Sequence, residues 1–221
     1  MGLLDLLAPA RCVACDAGEA LLCDGCRAAF ITIRPPLCAR CGAPAAWPVE
    51  RCSECSGRRL AFAQARAAVV YSGPARDLVA GWKERGLRRL AVEAADLVER
   101  GVARPDVEAL TFIPGDPDRV RWRGPNTAEA LARLLGVRWE LPVRPLLLRA
   151  GRIERQRGLT RAARRANVRG AFRPGGAVPV RVALVDDVYT TGATANAAAS
   201  ALRKGGARHV EVVTFARTGR G

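Results

Sequence analysis

Two sets of residues in this chain have the types and spacing to do chemistry. The first is eight cysteines, all in the first quarter of the 221 residues. They form four C-x-x-C pairs: Cys12/Cys15, Cys23/Cys26, Cys38/Cys41 and Cys52/Cys55. A two-residue spacer lets both thiolates of one turn reach a single tetrahedral metal ion, and two such turns complete a four-cysteine site. Eight ligands therefore suit two zinc ions. Four ligands per ion leave no open coordination position, so the zinc reads as structural. The second set is the run Val182-Ala-Leu-Val-Asp-Asp-Val-Tyr-Thr-Thr-Gly-Ala-Thr194. Apolar residues lead into Asp186 and Asp187, followed by a hydroxyl-rich turn, Gly192 and an Ala-rich segment. That order predicts a strand, an acidic pair, a phosphate-cradling loop and a helix N-terminus.

The chemistry of the second set follows from its donors and acceptors. Free backbone N–H groups of a loop and first helical turn make a site for a dianion, and the helix dipole adds to it. Thr190, Thr191 and Thr194 supply further hydroxyl donors beside the backbone of Gly192 and Ala193. Asp186 and Asp187 repel a phosphate placed on them but accept hydrogen bonds from vicinal ribose hydroxyls. Together they describe a 5-phosphoribosyl group, with its phosphate in the loop and its hydroxyls on the acids.

The cysteines fit a sequential grouping best, with Cys12, Cys15, Cys23 and Cys26 on one ion and Cys38, Cys41, Cys52 and Cys55 on the other. Spacing alone permits an interleaved grouping as well. Disulfides are the competing use, and a reducing compartment disfavours them. A catalytic thiol pair would need one C-x-x-C opening a helix, not four in series.

The elements that must position these residues divide the chain. Residues 1–59 read as a small Cys-rich double zinc ribbon, too short for a core of its own, to which zinc supplies folding energy. Ile31-Thr-Ile-Arg-Pro-Pro36 reads as an extended connector between its knuckles. From Leu60 cysteine vanishes and short apolar runs alternate with helical patterns. Strands are expected over 67–71, 109–113, 144–148, 180–185 and 210–216. Helices are expected from Pro74, over 87–102, from a cap at Asn126 to Gly136, over 160–168, and after Thr194. This alternation makes residues 60–221 an α/β domain, a mostly parallel sheet flanked by helices. Ligands of such sheets sit off the carboxyl ends of the strands, where the acidic pair and loop fall.

Charge adds a second theme. The formal net charge is +15, and lysine contributes only Lys83 and Lys204. Residues 144–173 hold ten Arg against one acid, Glu154, a density that attracts phosphates or a nucleic-acid backbone. A solvated Arg-rich face explains the same count. Residues 1–59 hold seven Arg and six acids, so charge gives no support to a DNA-reading ribbon. Zinc ribbons also bind proteins or brace a neighbouring domain. No apolar run is long enough to span a bilayer. The first residues carry Asp5 where a signal peptide wants basic residues, and Leu6 breaks the myristoylation pattern. The chain reads as cytoplasmic, without membrane insertion. Aromatics are 5% of it, and Trp82, Trp122 and Trp139 hold positions suited to packing more than to base stacking.

The strand, Asp-Asp, three residues, Thr-Gly-Ala-Thr and helix resemble the phosphoribosyl-pyrophosphate (PRPP) loop of type I phosphoribosyltransferases. With four C-x-x-C pairs ahead of it, nearly the whole chain resembles the ComF family, linked to competence and DNA uptake. Trp82-Lys83-Glu-Arg-Gly86 is similar to that family's Lys-x-x-Gly stretch. Ile113-Pro114 through Arg123-Gly124 resembles the pyrophosphate-loop segment, and Gln156 through Asn167 with Gly170-Ala-Phe172 resembles its basic loop region.

The resemblance implies PRPP or a related ribose phosphate as ligand, Mg²⁺ carried with it, and single-stranded DNA and proteins of the competence machinery as partners. It makes Lys83, Arg119, Arg161 and Arg164 pyrophosphate candidates and implies displacement of pyrophosphate from C1 of the ribose. The alternative it carries is a non-catalytic factor that senses PRPP or a nucleotide end and holds single-stranded DNA. The chain also departs from the pattern. Arg123-Gly-Pro-Asn-Thr127 stands where the family has Arg-Gly-Phe-Asn-Gln, and Asp116 stands where it has His. Thr190 replaces an Asp that purine-salvage relatives use as a base. These changes bear on turnover more than on sugar-phosphate binding. No cysteine begins the chain, against an amidotransferase nucleophile, and His209 reads as a bystander.

Overall fold

The computed structural model describes residues 11–18, 20–115, 126–150 and 170–219. Its centre is a four-stranded parallel sheet of β1 (Gln64–Val70), β2 (Ala109–Phe112), β5 (Arg181–Tyr189) and β6 (His209–Arg217), in the order β1-β6-β5-β2. Val182, Ala183, Leu184 and Val185 are fully buried, as expected of a central strand covered on both faces. Helices α2 (Gly73–Glu84) and α3 (Leu90–Gly101) lead from β1 to β2, and α4 (Thr127–Arg138) follows. α3 and α4 pack on each other and onto the sheet. Helix α5 (Ala193–Lys204) connects β5 to β6 and lies against both. Beside it sits an antiparallel hairpin of β3 (Leu147–Arg149) and β4 (Phe172–Pro174).

The expected elements that fall within the described residues are present with shifted bounds, and packing explains the shifts. The strand expected over 180–185 runs on through Asp186 and Asp187 to Tyr189, because β6 continues the ladder from Asp186↔Thr214 to Tyr189↔Arg217. Gly136 does not close its helix but lies inside α4. A Cβ there would fall 2.4 Å from Val143 Cγ2 and 2.9 Å from Leu141 O, so the glycine serves a close approach. The pattern over 87–102 begins its helix only at Leu90, after Gly86 turns with φ +69°. The strand expected over 144–148 is β3, three residues long, and β4 had no expectation. The helix expected over 160–168 lies outside the described residues. Among the described residues no helix is long and apolar enough to cross a membrane.

The cysteine-bearing segment is built into this fold. Residues Ile31–Ile33 lie antiparallel to the free edge of β1, with Val70 N–H donating to Ile31 O and Ile33 N–H to Ala68 O. The stretch expected as a connector thus also covers a sheet edge that would otherwise stay unpaired. Phe30 meets Phe215 of β6 edge to face, with centroids 6.1 Å apart.

Candidate functional site

The cysteines gather as two foursomes, Cys12/Cys15/Cys23/Cys26 and Cys38/Cys41/Cys52/Cys55, with the sulfurs of each within 4.8 Å of one another. This is the sequential grouping. A regular tetrahedron of thiolates about zinc, with bonds of about 2.3 Å, has sulfurs about 3.8 Å apart. The closest pairs are Cys15–Cys23 at 3.7 Å, Cys38–Cys55 at 3.6 Å and Cys41–Cys52 at 3.5 Å. All eight are free thiols, so the fit is to a metal and not to disulfides. Backbone N–H groups aim at the sulfurs, with Cys23 N donating to Cys12 Sγ and Cys52 N to Cys38 Sγ. Burial works against these thiolates, yet such N–H groups bring Cys12 and Cys38 each down to about 6. Neighbouring cysteines in turn push Cys26 up, and burial pushes Cys41 up. A foursome thus carries thiolate character that a dication completes. The short helix α1 (Asp24–Ala28) starts at Cys23, whose sulfur accepts the Cys26 N–H.

The acidic pair stands where the sheet opens. β2 stops at Phe112, opposite Val185, while β5 continues for four residues beside β6 alone. Asp186 and Asp187 are the first residues past that step, at the carboxyl edge where parallel sheets bind ligands. Successive strand residues face opposite ways, so the two acids have different surroundings. Asp187 is buried at 4% exposure; its Oδ2 accepts from Thr127 Oγ1 at 2.6 Å and pairs with Lys83 Nζ at 2.5 Å. Asp186 is half-buried and accepts the Asp187 N–H at 2.9 Å. Burial and the Asp187 charge push Asp186 up to about 7, against the pull of Lys83. Burial would lower Lys83, but the charges of Asp187 and Asp186 and the bond to Asp187 outweigh it and raise it.

The loop follows β5. Gly192 is the N-cap of α5 with φ +69°, a left-handed conformation that favours glycine. It brings no side-chain cap to the first-turn amides of α5. By contrast, Asn126 caps α4 through a bond from Ala128 N–H. The Thr191 hydroxyl accepts from Ala193 N–H at 3.3 Å. Asn196, one turn on, receives the Ala61 N–H on its Oδ1 at 2.7 Å and ties α5 to the end of the cysteine segment.

Beneath the loop sits Tyr189, 4% exposed, with an Oη that has no hydrogen-bond partner among the described residues. Burial pushes its phenol up to about 12, so it stays protonated. An unpartnered buried hydroxyl costs about 1–3 kcal/mol, so stability alone does not account for it.

The structure therefore brings together Asp186, Asp187, Lys83 and the Thr190–Thr194 loop. Lys83, read from sequence as a pyrophosphate candidate, is held on Asp187. Arg119, Arg161 and Arg164 lie outside the described residues, as do Asp116 and Trp122. Sequence reasoning missed Thr127, Tyr189 and Arg217. Thr127 had a signal, a hydroxyl directly after a capping Asn and beyond a strand that ends at the binding edge. His209 is at the opposite end of β6, 2.9 Å from Glu211 Oε1, away from the loop. Trp82 and Trp139 are buried in the core.

A cavity of about 560 Å³ lies on the outer face of α5. Arg58, Arg59 and Lys204 line it with Leu60, Phe172 and Ser200, and no acid does so among the described residues. It touches the loop at Ala193 and does not reach the acids.

Comparison with known proteins follows this geometry. Residues 3–56 match the family model described as a double zinc ribbon domain. Over its length the chain is 30% identical to "Competence protein F" of Haemophilus influenzae, across 94% of this chain and 96% of that one. It is 28% identical to "DNA utilization protein YhgH" of Salmonella typhi, across 96% and 99% of the two chains. "Competence protein ComFC" of Streptococcus pneumoniae is 26% identical, across 90% and 89%. Since the first of these similarities spans nearly all of both chains, and takes in the ribbon and the sheet together, this protein belongs to the ComF family.

Proposed function

We propose that this protein is a cytoplasmic phosphoribosyltransferase of the DNA-uptake machinery, a zinc-braced domain that binds PRPP with Mg²⁺. One observation carries the reading: α5 starts on a left-handed glycine without a side-chain cap, directly after a strand whose edge presents two acids. The first-turn amides, to which Gly192 brings no side chain, and the threonine hydroxyls suit a 5′-phosphate, and the acids suit ribose hydroxyls. Mg²⁺ would supply neutralisation of the pyrophosphate. The names of the relatives support the setting in competence and DNA utilization. The ribbon as residues 1–59 and the transferase domain as 60–221 complete this reading.

In the reaction, the acceptor's nucleophilic atom bonds to C1 as the C1–O bond to pyrophosphate breaks, and pyrophosphate leaves with the electron pair. Thr190 offers no base, so the acceptor's proton goes to solvent. Lys83 holds Asp187 oriented as a hydroxyl acceptor. Arg119, Arg161 and Arg164 are the proposed bidentate donors to pyrophosphate.

The test is calorimetric. Mg²⁺-PRPP should bind the wild type and raise its melting temperature. Asp186→Asn combined with Asp187→Asn should abolish both effects. A wild type that neither binds nor shifts ends the ribose-phosphate reading.

The second reading is a non-catalytic factor that senses PRPP or a nucleotide end and holds single-stranded DNA. The cation-lined cavity favours it, because Arg59 and Lys204 form no ion pair among the described residues. Single-stranded DNA should then bind with a steep salt dependence that flattens by about 0.7 unit for each phosphate contact removed, as in Arg59→Ala and Lys204→Ala. Unchanged slopes in both variants remove the cavity from any DNA site.

A further inference from the structure

The phosphate loop and the second cysteine foursome share a buried support. Arg217, at the end of β6, is 1% exposed. Its Nη1 donates to Cys41 O at 2.7 Å and its Nη2 pairs with Glu54 Oε2 at 2.9 Å. Those acceptors lie in the two C-x-x-C turns of one foursome, Cys38–Cys41 and Cys52–Cys55. On its other side the guanidinium carbon stands 5.3 Å from the centre of the Tyr189 ring. Tyr189 ends against Gly192, where a Cβ would fall 2.2 Å from its Oη and 2.5 Å from its Cζ. The backbone closes the same circuit. Thr218 N–H donates to Tyr189 O at 3.0 Å, and Thr218 Oγ1 donates to Thr190 O at 3.4 Å.

We propose that Arg217 and Tyr189 are positioning residues through which the second cysteine foursome sets the shape of the Thr190–Thr194 loop. Metal occupancy at Cys38/Cys41/Cys52/Cys55 and phosphate binding at the loop are then linked, and this second clause rests on the ribose-phosphate reading above. The physical chain is short. A metal ion fixes the two turns relative to each other, and so fixes both acceptors of one guanidinium. That guanidinium has no route to solvent and packs on an aromatic face, where a cation is attracted by the ring. The ring backs a glycine whose left-handed conformation defines the mouth of the anion site. Protein interiors are close-packed, so a shift at one end of such a column is passed on and not absorbed. Linkage then requires the effect to be reciprocal, with ligand at the loop tightening metal at the foursome by the same factor.

A role confined to stability would leave the loop itself unchanged, so the test reads the loop. Hydrogen exchange on the zinc-loaded full chain should show amides of 190–195 exchanging at least about ten-fold faster in Arg217→Met and Glu54→Gln, with those of α4 unchanged. Tyr189→Phe removes only an unpartnered hydroxyl and keeps the fold; it should raise exchange in the same segment by a smaller factor. Loop exchange equal to wild type in both Glu54→Gln and Tyr189→Phe overturns the proposal.

The second arm uses ribose 5-phosphate as probe. It should tighten metal at the second foursome several-fold in the wild type, read by equilibrium competition with a chelator, and leave that affinity unchanged in Glu54→Gln. Should ribose 5-phosphate bind and leave the metal affinity of that foursome untouched, the linkage is refuted. Failure of ribose 5-phosphate to bind the wild type, with loop exchange still responding, refutes the ribose-phosphate reading and leaves the support standing.

Discussion

The two cysteine foursomes have one chemistry and two settings. In the first, Cys15 is exposed and Cys23 and Cys26 are half-buried; in the second, Cys38 and Cys55 are at 0% exposure and Cys41 at 3%. The first reaches the α/β layer through Cys12, buried at 2% exposure in the shared core, through Arg85 Nη2 donating to Val13 O at 3.3 Å, and through an ion pair at its rim, Arg27 to Glu93 of α3 at 2.7 Å. The second is joined to the sheet by backbone and buried side chains. Ala65 N–H donates to Arg40 O, and Gly42 leaves no room for a Cβ, which would fall 2.3 Å from Ala65 O. Arg217 completes the junction from β6. The same tetrahedral demand is thus met at the rim of the core in one foursome, with Cys15 exposed, and deep within it in the other.

Replacing one ligand in each foursome gives the largest contrast. Cys55→Ser removes a buried ligand where the core depends on it, and the expected loss is of the order of a domain's whole stability, about 5–15 kcal/mol. Cys15→Ser should release one zinc per chain and leave the α/β domain melting cooperatively near the wild-type temperature. Zinc content together with thermal unfolding checks both. Equal losses would show that burial does not separate the sites.

Metal removal sharpens the same point without mutation. A thiol-competent chelator should extract zinc in two phases of one ion each, with the slow phase about a hundred-fold slower. Cys15→Ser should delete the fast phase only. A single phase for both ions would contradict the difference in burial.

Both foursomes and the loop were legible in the sequence because all three depend on local spacing. C-x-x-C places two sulfurs on one turn whatever surrounds it, and an apolar run ending in acids, threonines and glycine encodes strand, loop and helix start within thirteen residues. What was not legible depends on distant partners. Aspartates disfavour strands, so the sequence ends β5 at Val185, whereas Thr214 to Arg217 on β6 hold it to Tyr189. Gly136 reads as a helix stop until Val143, seven residues away, comes to lie against it. Arg217 reads as one more basic residue in an Arg-rich chain. Only the fold brings it to Cys41 and Glu54, more than 160 residues earlier.

Exposed and buried copies of one chemistry recur at the acids. Asp187 is buried on a lysine and a threonine; Asp186 is half-buried and, among the described residues, accepts a backbone N–H. Lys83→Met should leave the buried Asp187 without its cationic partner. Stranding one member of a fully buried pair costs about 3–5 kcal/mol. Because Lys83 is 39% exposed, about 2 kcal/mol is the expected loss in urea unfolding at pH 7.5. No loss would mean that the two acids are equally hydrated and the distinction between them is void.

The smallest effect concerns Asp186 and has a sign fixed by its titration. Its carboxyl rests at about 7 in the fold against an ordinary 3.8, so the folded chain keeps a proton that the unfolded chain has given up between those values. Stability from this group is therefore present below about pH 4 and is lost as pH rises through about 7. Asp186→Asn has no charge to hold and escapes that loss. The variant should melt about 3 °C above the wild type at pH 8, a gain that shrinks as pH falls through 7 and is gone near pH 4. Asp187→Asn should do the reverse at pH 8 and melt below the wild type, since it breaks the pair with Lys83. If both substitutions moved the melting temperature in the same direction at pH 8, the asymmetry between the two acids would be disproved.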